Sequence, residues 1–416
     1  MGDGYLLVSA HHCAPDMGSE HAVGWNLVSR LARQRPLILV TQDNEFRPAV
    51  ERGMAALRAQ GCDVHDFYVR HGSRTDGRKN SLRLGYYLTY IVYQWRVYQL
   101  AKTLRSRFRI VAAHHLNIVG FREPGFLWKL DLPFLWGPVG GLVYTPRALF
   151  GELTLKMRLF LNLTEWITRL QFRLSPRVKA AYRATQRPGG AFIAATQDIG
   201  QRFQRRFGGS FHWIPETGAE DIPEEQLART ATGGGASLRL LWAGALVDRK
   251  PLGMLLDAIA ALPAAAREQI ELTVVGDGDS RPRYEAQAQD LGIRATFHGW
   301  VSHAQAQAHF SQADLFVLLS VKDLTTNVVF ESLAHGLPVL CLDHHGYAEI
   351  VDDSCGVKIP IGTPGGMRAA IGTVLQGFLG DRQALARLAP GARQRARQFT
   401  WDRNALAIGR LLPPSL

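Results

Sequence analysis

Short apolar runs alternate with polar loops and with stretches of helical periodicity along the whole chain. Tyr5–Ala10 reads as a strand, and His11–Ser19 as a loop containing Pro15 and Gly18. From His21 to Arg33 the apolar residues Val23, Leu27, Val28 and Leu31 share one helical face. Leu37–Thr41 is the next strand, so the chain opens strand–loop–helix–strand. The clearest copy of the pattern lies at 312–351. There the strand Leu315–Leu319 leads into a polar loop, Ser320–Asn327, and a helix, Val328–His335. Gly336 and Pro338 close the helix before the strand Val339–Leu342. Units of this kind build parallel sheets, whose ligands sit outside the carboxyl ends of the strands.

The segments between follow the same grammar. Ile110–Ala113 is a strand running into His114 and His115, and Phe134–Gly141 is a strand ending in a Pro/Gly turn. Thr154–Leu174 reads as helix, with Leu155, Leu159, Leu163, Ile167 and Leu170 as its bulky apolar positions. Ala191–Ala194, a helix over Thr196–Arg206 and a strand at His212–Pro215 end the first half. Residues 218–237 turn acidic, then Ala/Thr/Gly-rich, and read as a linker. Strands resume at Leu238–Ala243, Leu272–Val275 and Thr296–His298, with a helix near Gly253–Leu262. Arg393–Leu411, with Phe399 and Trp401, reads as one terminal helix. The result is an α/β chain with domains at 1–217 and 238–392 and a terminal segment at 393–416.

Composition adds bounds. A length of 416 residues, 46% apolar and 20% charged, suits two or three globular domains. No apolar run reaches the roughly 18 residues of a membrane span, and the start Met1-Gly-Asp-Gly-Tyr lacks the features of a secretory leader. Cys13, Cys62, Cys341 and Cys355 are scattered, as expected of reduced cytoplasmic thiols. The net charge of +12 is uneven: Gly77–Arg122 holds nine Lys or Arg and no acid. Such a run points to an anionic partner. Within it, Leu82–Leu104 is aromatic and basic. It is either a core helix of the first domain or an interfacial helix on an anionic membrane, and different faces could do both. Arg147–Arg206 carries twelve basic and three acidic residues, which either solvate one face or guide an anionic acceptor.

Candidate chemistry gathers at the strand ends. Asp323 and Glu331, eight positions apart, place one carboxylate in a loop and one a helical turn in, with Thr325, Thr326 and Asn327 between. Carboxylates so placed accept from paired sugar hydroxyls; solvated acids of a capped helix are the plain alternative. Arg249 and Lys250 stand where a strand gives way to a helix and suit a diphosphate. Gly18 and Ser19 open a helix, where backbone N–H groups can seat a phosphate. His114 or His115 could donate to a sugar hydroxyl, and the residues do not choose between them. Asp277-Gly278-Asp279 is read as a turn rather than a metal site. The histidine pairs at 11–12, 114–115 and 344–345 lack ligand spacing, so no metal is expected.

The string Asp323, seven residues, Glu331, then Ala334-His335-Gly336-Leu337-Pro338-Val339 resembles the donor-sugar motif of the retaining group 1 glycosyltransferases. The strings at 8–26 and 114–141 resemble a polysaccharide-assembly subgroup of that family. The resemblance implies a GT-B fold: two Rossmann-like domains facing across a cleft, with the C-terminal helix crossing back. It further implies transfer of a hexosyl group, with retention and without metal or other cofactor, from a UDP- or GDP-sugar. The acceptor would be a lipid-linked (polyprenyl diphosphate) or polysaccharide molecule in exopolysaccharide or lipopolysaccharide assembly. The enzyme would be cytoplasmic, peripheral on the inner face of the membrane, with no nucleic-acid partner. By the resemblance Arg249 and Lys250 hold the diphosphate, Glu331 the ribose, and Asp323 with Thr325–Asn327 the sugar. The backbone around Gly299 and Val301 reads the base, while Gly18, Ser19 and one histidine of the 114–115 pair complete the site. The chain departs from the family pattern at Ala245, where an Arg is usual, at Pro251, where Gly is usual, and at Asp323, one methylene shorter than the usual Glu. Ala245, Leu324 and Asp323 sustain a rival, a non-catalytic polyanion- or membrane-binding protein on a degenerate transferase fold. A dinucleotide oxidoreductase would need a G-x-G-x-x-G after its first strand, and none is present.

Overall fold

The computed structural model describes the chain apart from residues 1–3, 16, 18, 72–82, 118–119, 224–236 and 414–416. Two compact units emerge. One comprises 1–142, 168–216 and 401–416, the other 143–167 and 217–400.

The first unit begins β1 (Tyr5–Ala10), α1 (Ser19–Ala32), β2 (Leu37–Gln42), α2 (Arg47–Ala59), β3 (Val64–Val69), α3 (Arg83–Leu104), β4 (Ile110–Asn117) and β5 (Phe134–Val139). After α4 (Leu155–Leu174), within which the boundary between the units falls, come α5 (Pro176–Thr185), β6 (Ala191–Ala194), α6 (Gln197–Phe207) and β7 (His212–Trp213). The strands form one parallel sheet in the order β3-β2-β1-β4-β5-β6-β7. β1, β2, β5 and β6 are buried along nearly their whole length, as in parallel sheets covered on both faces. Leu6, Val8, Leu39, Leu135 and Ile193 are fully buried in the core, where Leu27 and Leu31 of α1 meet them.

β4 is longer than its apolar run suggests. It pairs with β1 on one side and β5 on the other, Val8 and Leu135 both lying opposite His114. That pairing draws His114 and His115 into the strand, so neither stands at its end. α3 turns Tyr90, Tyr93, Val97 and Ala101 into the core and leaves Leu88, Val92 and Trp95 exposed. Its central tyrosines are therefore packing residues.

The second unit runs β8 (Leu238–Ala243), α7 (Leu252–Ala260), α8 (Ala264–Arg267), β9 (Ile270–Val275), α9 (Arg281–Asp290), β10 (Ala295–Gly299), α10 (His303–Gln312), β11 (Leu315–Leu318), α11 (Asn327–Ala334), β12 (Val339–Leu342), α12 (His345–Ile350), β13 (Gly356–Ile359), α13 (Pro364–Gly380) and α14 (Arg382–Gln398). Its six parallel strands are ordered β10-β9-β8-β11-β12-β13. The order in which strands are added reverses between β8 and β11, and the loops after these two strands open at that switch point. Helix starts are set locally: Ser302 and Gln305 form a reciprocal capping box on α10.

The terminal helix expected over Arg393–Leu411 is two helices. α14 ends at Gln398 because Phe399 leaves helical geometry and gives its carbonyl to the amide of Ala219 at 2.9 Å. The last helix, α15 (Trp401–Gly409), groups with the first unit and lies on α1. Asp402 there meets Arg30 at 3.1 Å, and the Gly409 carbonyl accepts from Arg35 at 3.0 Å.

Candidate functional site

Two loops of the second unit meet at its switch point. After β8 the chain turns through Gly244, at φ +139°, and reaches Arg249 and Lys250 just before α7. After β11 it passes Ser320, Val321, Lys322 and Asp323 on its way to α11. The loops are tied by backbone: the Val321 amide donates to the Arg249 carbonyl at 2.8 Å. Across this tie the Arg249 guanidinium donates to the Lys322 carbonyl and to Oδ1 of Asp323, both at 2.9 Å. Lys250 Nζ lies 3.3 Å from Asp323 Oδ2, which Ser320 Oγ also reaches at 3.2 Å. A Cβ at Gly244 would fall 3.1 Å from Lys250 Nζ. The ammonium therefore lies over bare backbone at the strand end.

These charges are braced from behind. The Ser320 carbonyl receives Tyr347 Oη at 2.7 Å and His344 Nε2 at 2.8 Å. His345 Nε2 stands 3.1 Å from the Val321 carbonyl. Burial and the neighbouring His345 push the His344 imidazole down to about 3, so it acts as a neutral donor. Lys322 turns to Glu165 of α4 at 2.9 Å, whose buried carboxylate also accepts from the Thr145 amide at 2.9 Å. Glu165, Lys322, His344 and Tyr347 carried no role in the sequence reading. Only the fold brings residues this far apart in the chain to one loop.

Thr325 is fully buried and Thr326 holds φ +63°, a conformation costing about 1–3 kcal/mol outside glycine. The loop is pinned beyond it, where the Asn327 side chain hydrogen-bonds the Thr217 hydroxyl. Among the described residues the Thr326 hydroxyl is buried without a partner, so it offers a ligand both a donor and an acceptor.

Glu331 looks elsewhere. One turn into α11, it approaches His303 at the start of α10, with Nε2 3.9 Å away. Burial raises its carboxyl above the usual range. It is thereby grouped with the loop after β10, where Gly299 takes φ +70° and Trp300 is 78% exposed ahead of Val301. Gly299 is held by the Gly276 amide at 2.8 Å, and a Cβ there would meet Arg281 at 2.7 Å. The two acids of the motif thus lie in two places: Asp323 beside the cations after β8, Glu331 beside His303 at the start of α10.

In the first unit, Ser19 is the first residue of α1, and Gly18 lies outside the described residues. His114 and His115 are both buried. His114 Nε2 is 2.7 Å from the Gly137 carbonyl, and burial lowers the pair to about 4 and about 3 respectively. The groups nearer the strand ends are ones the sequence reading passed over. His12, after β1, meets His21 of α1 at 3.3 Å and Glu20 at 3.6 Å. Asn117, at the end of β4, donates to the His12 carbonyl at 2.6 Å. The repeated His-His after the first strand was the available signal.

Two parallel-sheet units of this kind, matched along the whole chain by solved structures, define a GT-B fold. Anabaena Alr3699/HepE, solved in complex with UDP and glucose, superposes at a TM-score of 0.59 with 16% identity over 98% of each chain. Residues 237–377, about a third of the chain, match the family described as Glycosyl transferases group 1. Among curated relatives, D-inositol 3-phosphate glycosyltransferase of Xylanimonas cellulosilytica is 29% identical over 52% of this chain and 55% of its own. Lipopolysaccharide glucosyltransferase WaaG of Escherichia coli is 33% identical over 29% of this chain and 32% of its own. The matches thus span about a third to a half of the relatives' lengths.

Proposed function

We propose that the protein is a retaining, metal-independent glycosyltransferase. It would move a hexosyl group from a UDP- or GDP-sugar to a lipid-linked or polysaccharide acceptor in lipopolysaccharide or exopolysaccharide assembly, working at the cytoplasmic face of the membrane. The observation that carries the reading is the pairing of Arg249 and Lys250 with one carboxylate at the switch point. Two cations share a single negative charge there, over backbone that Gly244 leaves open. A diphosphate brings more charge than Asp323 supplies, and its oxygens suit the Arg249 fork and the Lys250 point charge together. Asp323, released from the cations, is then free to accept from sugar hydroxyls beside Thr325, Thr326 and Asn327. Glu331 accepts from the ribose, with the base against Gly299 and Val301. In the reaction the anomeric C–O bond to the diphosphate breaks and a new C–O bond to the acceptor forms. The acceptor's proton passes to the departing diphosphate, whose growing charge Arg249 and Lys250 stabilise. The relatives support the substrate class: WaaG is a lipopolysaccharide glucosyltransferase, and HepE was solved with UDP and glucose.

The test is a thermal-shift and calorimetric screen of UDP, GDP and their sugars against the full chain. A ligand at a hundred times its Kd adds about 2.7 kcal/mol of stability. One nucleotide series should therefore raise the melting temperature by several degrees, and its sugar should be slowly hydrolysed without acceptor. If no nucleotide diphosphate binds, the transferase reading fails. If donor binds without any turnover, the non-catalytic rival takes its place.

A further inference from the structure

Helix α4 is built inside out. Its apolar positions Leu155, Leu159, Leu163, Trp166, Leu170 and Leu174 follow the helical repeat along twenty residues, and each is 41–70% exposed. Phe160, at 38%, widens the stripe. Of the thirteen large apolar side chains exposed among the described residues, seven belong to this helix. The inward face carries the polar anchors instead. Glu165, 4% exposed, accepts from Lys322 and from the Thr145 amide, and buried Thr168 hydrogen-bonds Arg122. Those anchors fix the rotation of the helix, so the greasy face cannot roll inward without stripping a buried carboxylate of its partners.

We propose that this face of α4 is the surface by which the protein lies on an anionic lipid bilayer. Exposed Leu, Phe and Trp in a continuous stripe would enter the boundary between headgroups and acyl chains, with the helix axis in the membrane plane. Charge selects the partner. From Leu155 to Arg187 the only acid is Glu165, which is buried, whereas Lys156, Arg169 and Arg173 border the stripe and Lys179 and Arg183 follow on α5, all exposed. Basic flanks without acids complement anionic headgroups. A second copy of the chain is disfavoured by the same charges. A two-fold contact of stripe on stripe would set Lys156 and Arg173 against their own kind. The inference deepens the membrane part of the proposed function but needs nothing from the donor site. It adds a longer apolar stripe to that of α3, which exposes Leu88, Val92 and Trp95 but buries Tyr90 and Tyr93.

Full-length protein is co-sedimented with vesicles of phosphatidylcholine alone and with 30% phosphatidylglycerol. The wild type should pellet with the anionic vesicles, less in high salt, and scarcely with the neutral ones. Leu159→Glu/Leu163→Glu/Trp166→Glu should weaken that partition at least tenfold, and Lys156→Glu/Arg173→Glu severalfold. All substituted positions are exposed, so melting temperature and nucleotide binding should stay at wild-type values, which separates failure here from failure at the donor site. Wild-type protein that ignores anionic vesicles overturns the proposal, and so does a triple variant that pellets undiminished. A wild-type dimer that the triple variant dissociates, without vesicle binding, would assign the stripe to a second copy instead.

Discussion

Lys250 and Asp323 face each other at 3.3 Å across two loops, seventy-three positions apart in sequence, at the point where the strand order of the second sheet reverses. Both side chains are largely buried, and the pair ties the two loops together.

That relationship lets binding and folding be separated. Lys250→Met keeps the aliphatic stem and removes the charge, while Arg249 still neutralises Asp323 at 2.9 Å. Turnover should fall about 100-fold or more, the usual loss on deleting one group that stabilises a developing anion. The melting temperature should move by only a few degrees. Asp323→Asn should behave differently: the cations stay in place for the diphosphate, so binding of the bare nucleotide diphosphate should hold or tighten while sugar transfer falls. Steady-state kinetics with calorimetry on the two variants measures the split. Full turnover in Lys250→Met would remove the phosphate role.

Metal removal should leave the proposed activity intact. The one Asp-x-Asp in the sequence is Asp277 and Asp279, and Asp277 is already engaged. Its Oδ1 accepts from the Gly278 amide at 2.7 Å and its Oδ2 meets Arg281 at 3.2 Å. Among the described residues no three ligating side chains converge. Activity measured after dialysis against EDTA should stay within about twofold of the untreated level, the change being too small to reflect a lost charge of this kind. Loss that manganese or magnesium restores would reverse the assignment.

Much of the fold was legible because parallel strands buried on both faces leave uninterrupted apolar runs, and nearly every such run became a strand. The clustering of Arg249, Lys250 and Asp323 was legible because all three sit beside strand ends in the sequence itself. Legibility failed where tertiary context decides. β4 runs four residues past its apolar stretch because β1 and β5 both pair with it, which buries His114 and His115. α4 has ordinary helical periodicity, and only the contacts of Glu165 and Thr168 show that the apolar stripe faces outward. The break between α14 and α15 comes from the Ala219 amide, 180 residues before Phe399.

The first unit should be acid-labile, and the cause is a histidine cluster that the proposed chemistry does not use. His11 is buried with its ring 4.4 Å from His12, 5.1 Å from His71 and Tyr90, and 4.7 Å from Tyr93. His12 in turn stacks edge-on against His21. Burial first, and then the neighbouring imidazoles, hold His11 well below its usual value and bring His12 down to about 4, while burial lowers His21 and His71. A histidine kept neutral in the fold and free to take a proton in the unfolded chain stabilises fully above about 6.5. That contribution drains as the pH drops from there toward 4, at up to about 1.4 kcal/mol per pH unit for each such group. Glu20, whose carboxyl burial raises, opposes the trend only near its own range, because in the fold it holds its proton to higher pH. The urea midpoint should therefore be level from pH 8 to 7 and fall steeply between 6.5 and 5. His12→Gln, which removes one titrating neighbour while keeping a polar side chain, should flatten the slope. A midpoint unchanged from pH 7 to 5 in the wild type would mean that the cluster is not held neutral.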